Sequence, residues 1–201
     1  MNYQDTLKKD KQLWQHIHHH NELRPGLEKN IPWYLASSII GQQLSTKVAR
    51  VLRDRFLNLC DGKKPSAKKM AALSQSALRS AGISNAKAAY IQNVAIFALE
   101  HGLQAASLSK MRDEEVIGYL TQIKGVGRWT AEMVLIFAMG RPDVFAIDDL
   151  GLRNAVIKIY NLQELEPKQQ RINILSISEK WKPFRSYASL HLWHFLDNPS
   201  Q

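Results

Sequence analysis

The chain is 201 residues long and contains a single cysteine, Cys60. No internal disulfide can form, and neither an all-cysteine zinc site nor a four-cysteine iron–sulfur cluster can be assembled. Uncharged apolar stretches of the ~18 residues that cross a bilayer are missing as well. The N-terminus, MNYQDTLKKD, is polar where a secretory signal would carry an apolar run. These absences predict a soluble intracellular protein, in the cytoplasm or nucleoid of a bacterium or the nucleus of a eukaryote. Alternating β-branched runs bounded by Asn-Gly or Asp-Gly turns are absent, so a sheet is not expected. Internal repeats and low-complexity segments are also lacking. Acidic residues are in short supply: 18 Asp and Glu against 27 Lys and Arg leave a net charge of +9. That excess favours an anionic partner, nucleic acid first, although many basic proteins bind no polyanion.

What is present reads as helix. Apolar residues are 45% of the chain, enough for one or two compact domains with a core. Residues 33–59 place apolar side chains at helical spacing with one break between Gly41 and Ser45, which predicts two helices there. Ser66 to Leu73, Ser74 to Ala81 and Ser84 to His101 each open on a serine and turn helical, and Gly82 and Gly102 stand where helix ends favour glycine. Asp113 to Gln122 is a further helical segment, and Asp61 to Pro65 is the most polar linker. The fold class expected is all-α. In the tract His16, His18, His19, His20, the first and last lie four apart on one helix face, yet no third metal ligand is suggested nearby, so the run reads as a solvated face.

The most informative stretch is TQIKGVGRWTAEMVLIFAMG at 121–140. A helix from Asp113, a tight turn from Ile123 to Gly127 and a second helix from Arg128 to Met139 predict a helix–hairpin–helix. Gly125 and Gly127 are expected to supply unusual backbone angles and to let another backbone approach. The turn's N–H groups, the positive end of the second helix and the cations Lys124 and Arg128 would then face a phosphate together. Such a site grips a nucleic-acid backbone without reading its sequence. The plainer alternative is a helix C-cap with a packing contact.

Residues 120–154, LTQIKGVGRWTAEMVLIFAMGRPDVFAIDDLGLRN, resemble the signature of the helix–hairpin–helix DNA glycosylase superfamily, and within it the 3-methyladenine DNA glycosylase II family of alkylation repair. SIIGQQLSTKVA at 38–49 and KWKPFRSYASLHLWHF at 180–195 agree with that family, so the resemblance runs from about Trp33 to Phe195. It implies two helical lobes with the active-site cleft between them, roughly 50–150 as the hairpin lobe and 1–49 with 151–201 as the other. It implies duplex DNA carrying damaged bases as partner, with a monomer as the default state. The bacterial-type enzyme of the family carries an additional N-terminal α/β domain. Here only a short helical segment precedes the matched region, so a compact form is expected.

The resemblance places the catalytic aspartate at Asp149, with Asp148 as the alternative. The spacing agrees: Asp149 lies 22 positions after Gly127, room for a helix of about three turns and a return loop. One carboxylate of the pair can cap the helix that begins near Leu150 while its neighbour faces a pocket, or both can merely cap. A lone carboxylate can stabilise an oxocarbenium-like sugar and orient or deprotonate water. A base alkylated on a ring nitrogen is already cationic and leaves without a general acid, and aromatic faces would bind it. By resemblance Trp193 lines that pocket and Trp129 sits beside the hairpin. Met133 would face the pocket, Trp33 and Tyr34 are further candidates, and Trp181 is packing.

Strand-cutting members of the superfamily carry a lysine just after the hairpin's Gly-Arg, where this chain has Trp129, so a monofunctional enzyme is expected. The endonuclease III and adenine-specific branches typically carry a four-cysteine cluster that this chain cannot assemble. The wedge that fills the space left by a flipped base would come from the GQQLS turn, as Gln43 or Leu44, with Gln42 less favoured. Hairpin contacts to DNA would come from Lys124, Gly125, Val126, Gly127, Arg128 and Thr130. The resemblance further implies that backbone carbonyls of Thr121, Ile123 and Gly125 hold a Na+ or K+ ion, with no other cofactor. Alkylated purines such as 3-methyladenine and 7-methylguanine are the expected substrates. The alternatives are a non-catalytic helix–hairpin–helix DNA-binding protein, or a glycosylase for an etheno, deaminated or oxidised base.

Overall fold

A computed structural model describes residues 2–198, in which the regular elements are helices, with no strand among the described residues. Thirteen helices run in order through these residues: α1 (Tyr3–Leu7), α2 (Lys11–Ile17), α3 (Ile31–Gly41), α4 (Thr46–Asn58), α5 (Ala67–Ala71), α6 (Gln75–Ser80), α7 (Asn85–Glu100), α8 (Ala105–Leu108), α9 (Asp113–Leu120), α10 (Arg128–Phe137), α11 (Leu150–Ile159), α12 (Pro167–Glu179) and α13 (Arg185–Asp197). None of them is long and apolar enough to cross a membrane.

Local chemistry sets most of the boundaries. Ser45, Ser66, Ser74 and Ser84 each cap a helix, the hydroxyl accepting from the backbone N–H three residues on, an interaction worth about 1 kcal/mol apiece. Gly82 and Gly102 follow the ends of α6 and α7 in the left-handed conformation, at φ +89° and +84°.

The chain divides into two compact units, Leu27–Val134 and the described residues before Leu27 joined to those from Leu135 onward. Both divisions fall earlier than the lobe limits drawn from sequence, 49/50 and 150/151. The reason on the N-terminal side is packing: α3 lies against α4 and α7, so residues 27–49 belong with the middle of the chain. In that middle unit α7 is the central element, contacted by α3, α5 and α6. Its buried face is the helical stripe Ala88, Ile91, Val94 and Ala95, while its neighbours α3 and α5 bury Ile39, Ile40 and Met70.

In the other unit α11 packs on α2, α12 and α13. The N-terminal segment is fastened there by Asp10, a buried carboxylate that accepts from Leu13 N–H at 3.2 Å, the Tyr160 hydroxyl at 2.6 Å and Trp181 Nε1 at 3.1 Å. A polar group buried this deeply is tolerated because three donors satisfy it. Trp181 is fully buried, the packing residue expected. The histidine run is not the wholly solvated face that was expected. The Nδ1 atoms of His20 and His191 share a 3.2 Å hydrogen bond, His194 packs its ring edge-on to His20, and His16 meets Phe195. Burial foremost, then the neighbouring histidines, pushes His20 and His191 down to about 4.

Candidate active site

Asp149 ends a segment that the fold holds from both sides. Val144, Phe145, Ala146 and Ile147 are buried, and Asp149 N–H turns back onto the Ala146 carbonyl at 2.9 Å. The segment's start is fixed to the first turn of α13. Arg185 donates from Nε to Asp143 Oδ1 at 2.8 Å and from an Nη to Oδ2 at 3.0 Å, and Ser186 accepts from Val144 N–H at 2.9 Å. The same helix carries Trp193 two turns later, so one element positions both the carboxylate's loop and its aromatic neighbour. Sequence reading quoted KPFRSY but gave Arg185 and Ser186 no task. A basic residue followed by a serine, matched to an acidic turn residue 42 positions earlier, carries no local signature.

Asp149 caps α11 itself, Oδ1 accepting from Leu152 N–H at 2.8 Å. The same oxygen accepts from Trp193 Nε1 at 3.0 Å. The expected division of labour, one aspartate capping and the other facing a pocket, is therefore not what the fold uses, because one carboxylate meets both the helix and the indole. Asp148 is exposed and bridges to Arg171 at 2.7 Å across the surface. Such exposed pairs contribute about 0–1 kcal/mol.

Two neighbours of this centre escaped the sequence reading. An added Cβ at Gly151 would meet Asp149 Oδ1 at 3.1 Å and Trp193 Cδ1 at 3.3 Å, so glycine there admits the indole to the carboxylate. Phe137, at the end of α10, sets its ring 5.4 Å from that of Trp193 at a 32° tilt, a packing arrangement aromatic pairs favour.

The remaining candidates lie in the middle unit. Gly125 is left-handed at φ +103°, and a Cβ on it would fall 2.3 Å from the Tyr90 ring, so the turn packs directly on α7. Asn93 adds a hydrogen bond to the Lys124 carbonyl at 3.1 Å. Gly127 behaves differently from expectation. It has no left-handed angle, and a Cβ there would meet nothing within 4 Å. Lys124 is exposed, whereas Val126 and Thr130 are buried. The Arg128 guanidinium spans both helices of the hairpin, at 3.0 and 2.5 Å from Glu114 on α9 and 3.1 Å from the buried Glu132 on α10. Its charge is spent on the hairpin rather than left open beside it.

On α10, Trp129 is 38% exposed and Met133 is buried four residues on. Trp33 is 7% exposed and lies over Phe56 with ring centroids 6.0 Å apart, a core position. Tyr34 is largely buried, which pushes its phenol up to about 12. In the GQQLS turn Gln43 takes φ +59°, a left-handed conformation that costs a non-glycine residue about 1–2 kcal/mol. The Gln43 and Leu44 side chains project to solvent, while Gln42 Nε2 makes a long 3.5 Å contact to Thr130 Oγ1.

Residues 36–183 match the family described as HhH-GPD superfamily base excision DNA repair protein. Among curated relatives, a putative DNA-3-methyladenine glycosylase of Bacillus subtilis is 34% identical over 165 residues, which is 79% of this chain and 56% of that protein's length. Among solved structures, a DNA-3-methyladenine glycosidase from Bacillus halodurans superposes with a TM-score of 0.81 at 33% identity, covering 96% of this chain and 87% of that one. The Schizosaccharomyces pombe 3-methyladenine DNA glycosylase in complex with abasic DNA gives 0.81 at 29% identity, covering 93% and 90%. By match, fold and hairpin alike, the chain belongs to the HhH-GPD superfamily of base excision DNA repair proteins and, within it, to the 3-methyladenine DNA glycosylase family.

Proposed function

We propose that this chain is a monofunctional DNA glycosylase that removes alkylated purines of the 3-methyladenine and 7-methylguanine class from duplex DNA, leaving an abasic site. The observation that carries the reading is the Asp149 carboxylate, whose Oδ1 accepts from Leu152 N–H and Trp193 Nε1–H. In the reaction, the bond from the sugar C1′ to the base nitrogen breaks and its electron pair leaves with the base. Positive charge then develops on the sugar, and Asp149 stabilises it electrostatically. The same carboxylate orients the water that bonds to C1′ and takes its proton. A base methylated on a ring nitrogen departs neutral, so one carboxylate suffices. Trp193 would stack on the cationic base.

Grip on DNA falls to the middle unit. Gly127 supports this because neither its angle nor an internal contact calls for glycine, leaving close approach of an outside backbone as the physical reason for a missing side chain. Lys124 supplies the exposed charge beside it, with the positive start of α10 behind. Main-chain carbonyls of Thr121, Ile123 and Gly125 would hold a monovalent cation. They fit in kind: neutral oxygens at the negative end of α9 suit a hard cation, and the Ile123 carbonyl, already accepting from Val126 N–H at 2.9 Å, keeps a second lone pair. Such an ion would add attraction for a phosphate. Gln43 and Leu44 would fill the gap left by the extruded base.

The test is base release from methylated duplex DNA, with strand breaks scored before and after alkali. Free methylated purine with breaks appearing only after alkali is the expected result. Breaks without alkali would overturn the monofunctional reading. Binding without release of any methylated base would point to another lesion or to a purely DNA-binding role.

A further inference from the structure

The turn between α3 and α4 presents a paradox. It exposes Leu44 and holds Gln43 at φ +59°, yet it contains no internal tie beyond a 3.2 Å hydrogen bond from Leu44 N–H to the Gly41 carbonyl and the contacts of Gln42 N–H with Ser38 and Ile39. A non-glycine residue in that conformation persists only when its surroundings over-determine it. The determinants come from other helices. From α7, Lys87 Nζ donates to the Ile40 carbonyl at 2.9 Å and to the Gln42 carbonyl at 2.7 Å, bridging the last turn of α3 and the residue just before Gln43. From α4, Arg53 Nε donates to the Ser37 carbonyl at 3.2 Å, and its guanidinium lies where a Cβ on Gly41 would come within 2.6 Å of it.

Lys87 stands out because both acceptors of its ammonium are main-chain carbonyls rather than a carboxylate. Carbonyls at the end of a helix lack intrahelical partners and carry the negative end of the dipole, so a cation there is favoured on both counts. Burial alone lowers the Lys87 pKa, as expected for an ammonium drawn off the surface. With the ammonium engaged on two carbonyls, it is not offered to a phosphate.

Resting on the glycosylase reading above, we propose that Lys87 is a positioning residue for base extrusion: its ammonium locks the 41–45 turn in the one shape that presents Gln43 and Leu44 as a wedge. It touches neither the lesion nor the DNA backbone. Its removal therefore acts on the step that depends on the wedge and spares the step that depends on Asp149.

The experiment compares wild type, Lys87→Met and Lys87→Arg in three assays. The first is single-turnover release of methylated purine from a fully paired site. The second is the same release from a lesion placed in an unpaired bubble. The third is fluorescence of 2-aminopurine set opposite an abasic-site analogue, which brightens when a side chain is inserted and needs no chemistry. Lys87→Met is expected to slow release from the paired site about tenfold or more, to change release from the bubble by less than about threefold, and to lose the fluorescence rise. Lys87→Arg, which can still donate to both carbonyls, should restore the paired reaction. The salt slope of binding should stay as in wild type, whereas a lost phosphate contact would reduce it by about 1. Equal slowing on both substrates, or wild-type fluorescence in Lys87→Met, overturns the proposal. Failure of the wild type to release any methylated base would sink the glycosylase reading instead, and the fluorescence assay would still decide the role of Lys87.

Discussion

Two turns in the middle unit solve the same problem by opposite means. The hairpin turn after α9 uses a glycine of its own: Gly125 takes a left-handed angle at φ +103° and lets the backbone rest on Tyr90 of α7, where Asn93 also holds the Lys124 carbonyl, while Arg128 ties α9 to α10 through Glu114 and Glu132. The turn after α3 places a glutamine at φ +59° and depends on cations reaching in from α7 and α4. The first takes its unusual angle on a glycine, and the second forces one on a glutamine held from other helices. A turn proposed to sit rigid under a phosphate gains from a glycine that lets it pack closely on α7. A turn whose side chains face outward cannot use glycine at its tip, so its conformation has to be held by neighbours.

Breaking the hairpin turn should have the largest effect. Gly125→Ala combines a left-handed penalty with a collision on the Tyr90 ring, so unfolding free energy should fall by about 3 kcal/mol in a denaturant titration. Wild-type stability in that variant would mean the hairpin tolerates a different angle.

A second effect sharpens the contrast by lying outside both turns. His20 and His191 are held at about 4 in the fold against an ordinary 6.5. The unfolded chain binds more protons, so stability present above about pH 6.5 should drain away as pH falls toward 4 and level off below it. The melting temperature followed from pH 7 to 4 should drop over that window, and His20→Asn should flatten the drop. A melting temperature flat through the window would show that the pair keeps ordinary affinity for protons.

At the imposed turn, Gln43→Gly should raise stability by up to about 1 kcal/mol, relief of left-handed strain outweighing the glycine's entropy, while base release from paired DNA declines. Loss of stability there would mean that the glutamine side chain holds the turn as well. The smallest effect on the fold is expected for Gly127→Ala. Stability should change by less than about 0.5 kcal/mol, yet affinity for duplex DNA should weaken about tenfold, equivalent to 1.4 kcal/mol. If affinity were unchanged, the missing side chain at 127 would need another explanation.

The same contrast governs what could be read in the sequence. Serine caps, the glycine ends of α6 and α7 and the starts of both hairpin helices are local, and each stands where the residues imply, while those helices end two residues early, at Leu120 and Phe137. The resemblance pointed to Asp149 and Trp193, which the fold brings within 3.0 Å of each other. Illegible were the features that join distant residues: the Arg185 fork on Asp143, the opening Gly151 leaves for the indole, Phe137 beside Trp193, and Lys87 on the α3 terminus. Trp33 is ambiguous in sequence for a related reason, since an apolar ring at helical spacing looks alike in a core and in a pocket until its partner, here Phe56, is known.

The measurement that tests the account most directly is single-turnover base release from methylated duplex DNA by Asp149→Asn. Asparagine preserves the cap on Leu152 N–H, so folding and DNA affinity should remain close to wild type while release slows by about two to three orders of magnitude or more. Release at the wild-type rate, with the fold intact, would show that Asp149 only caps α11 and that the chemistry lies elsewhere.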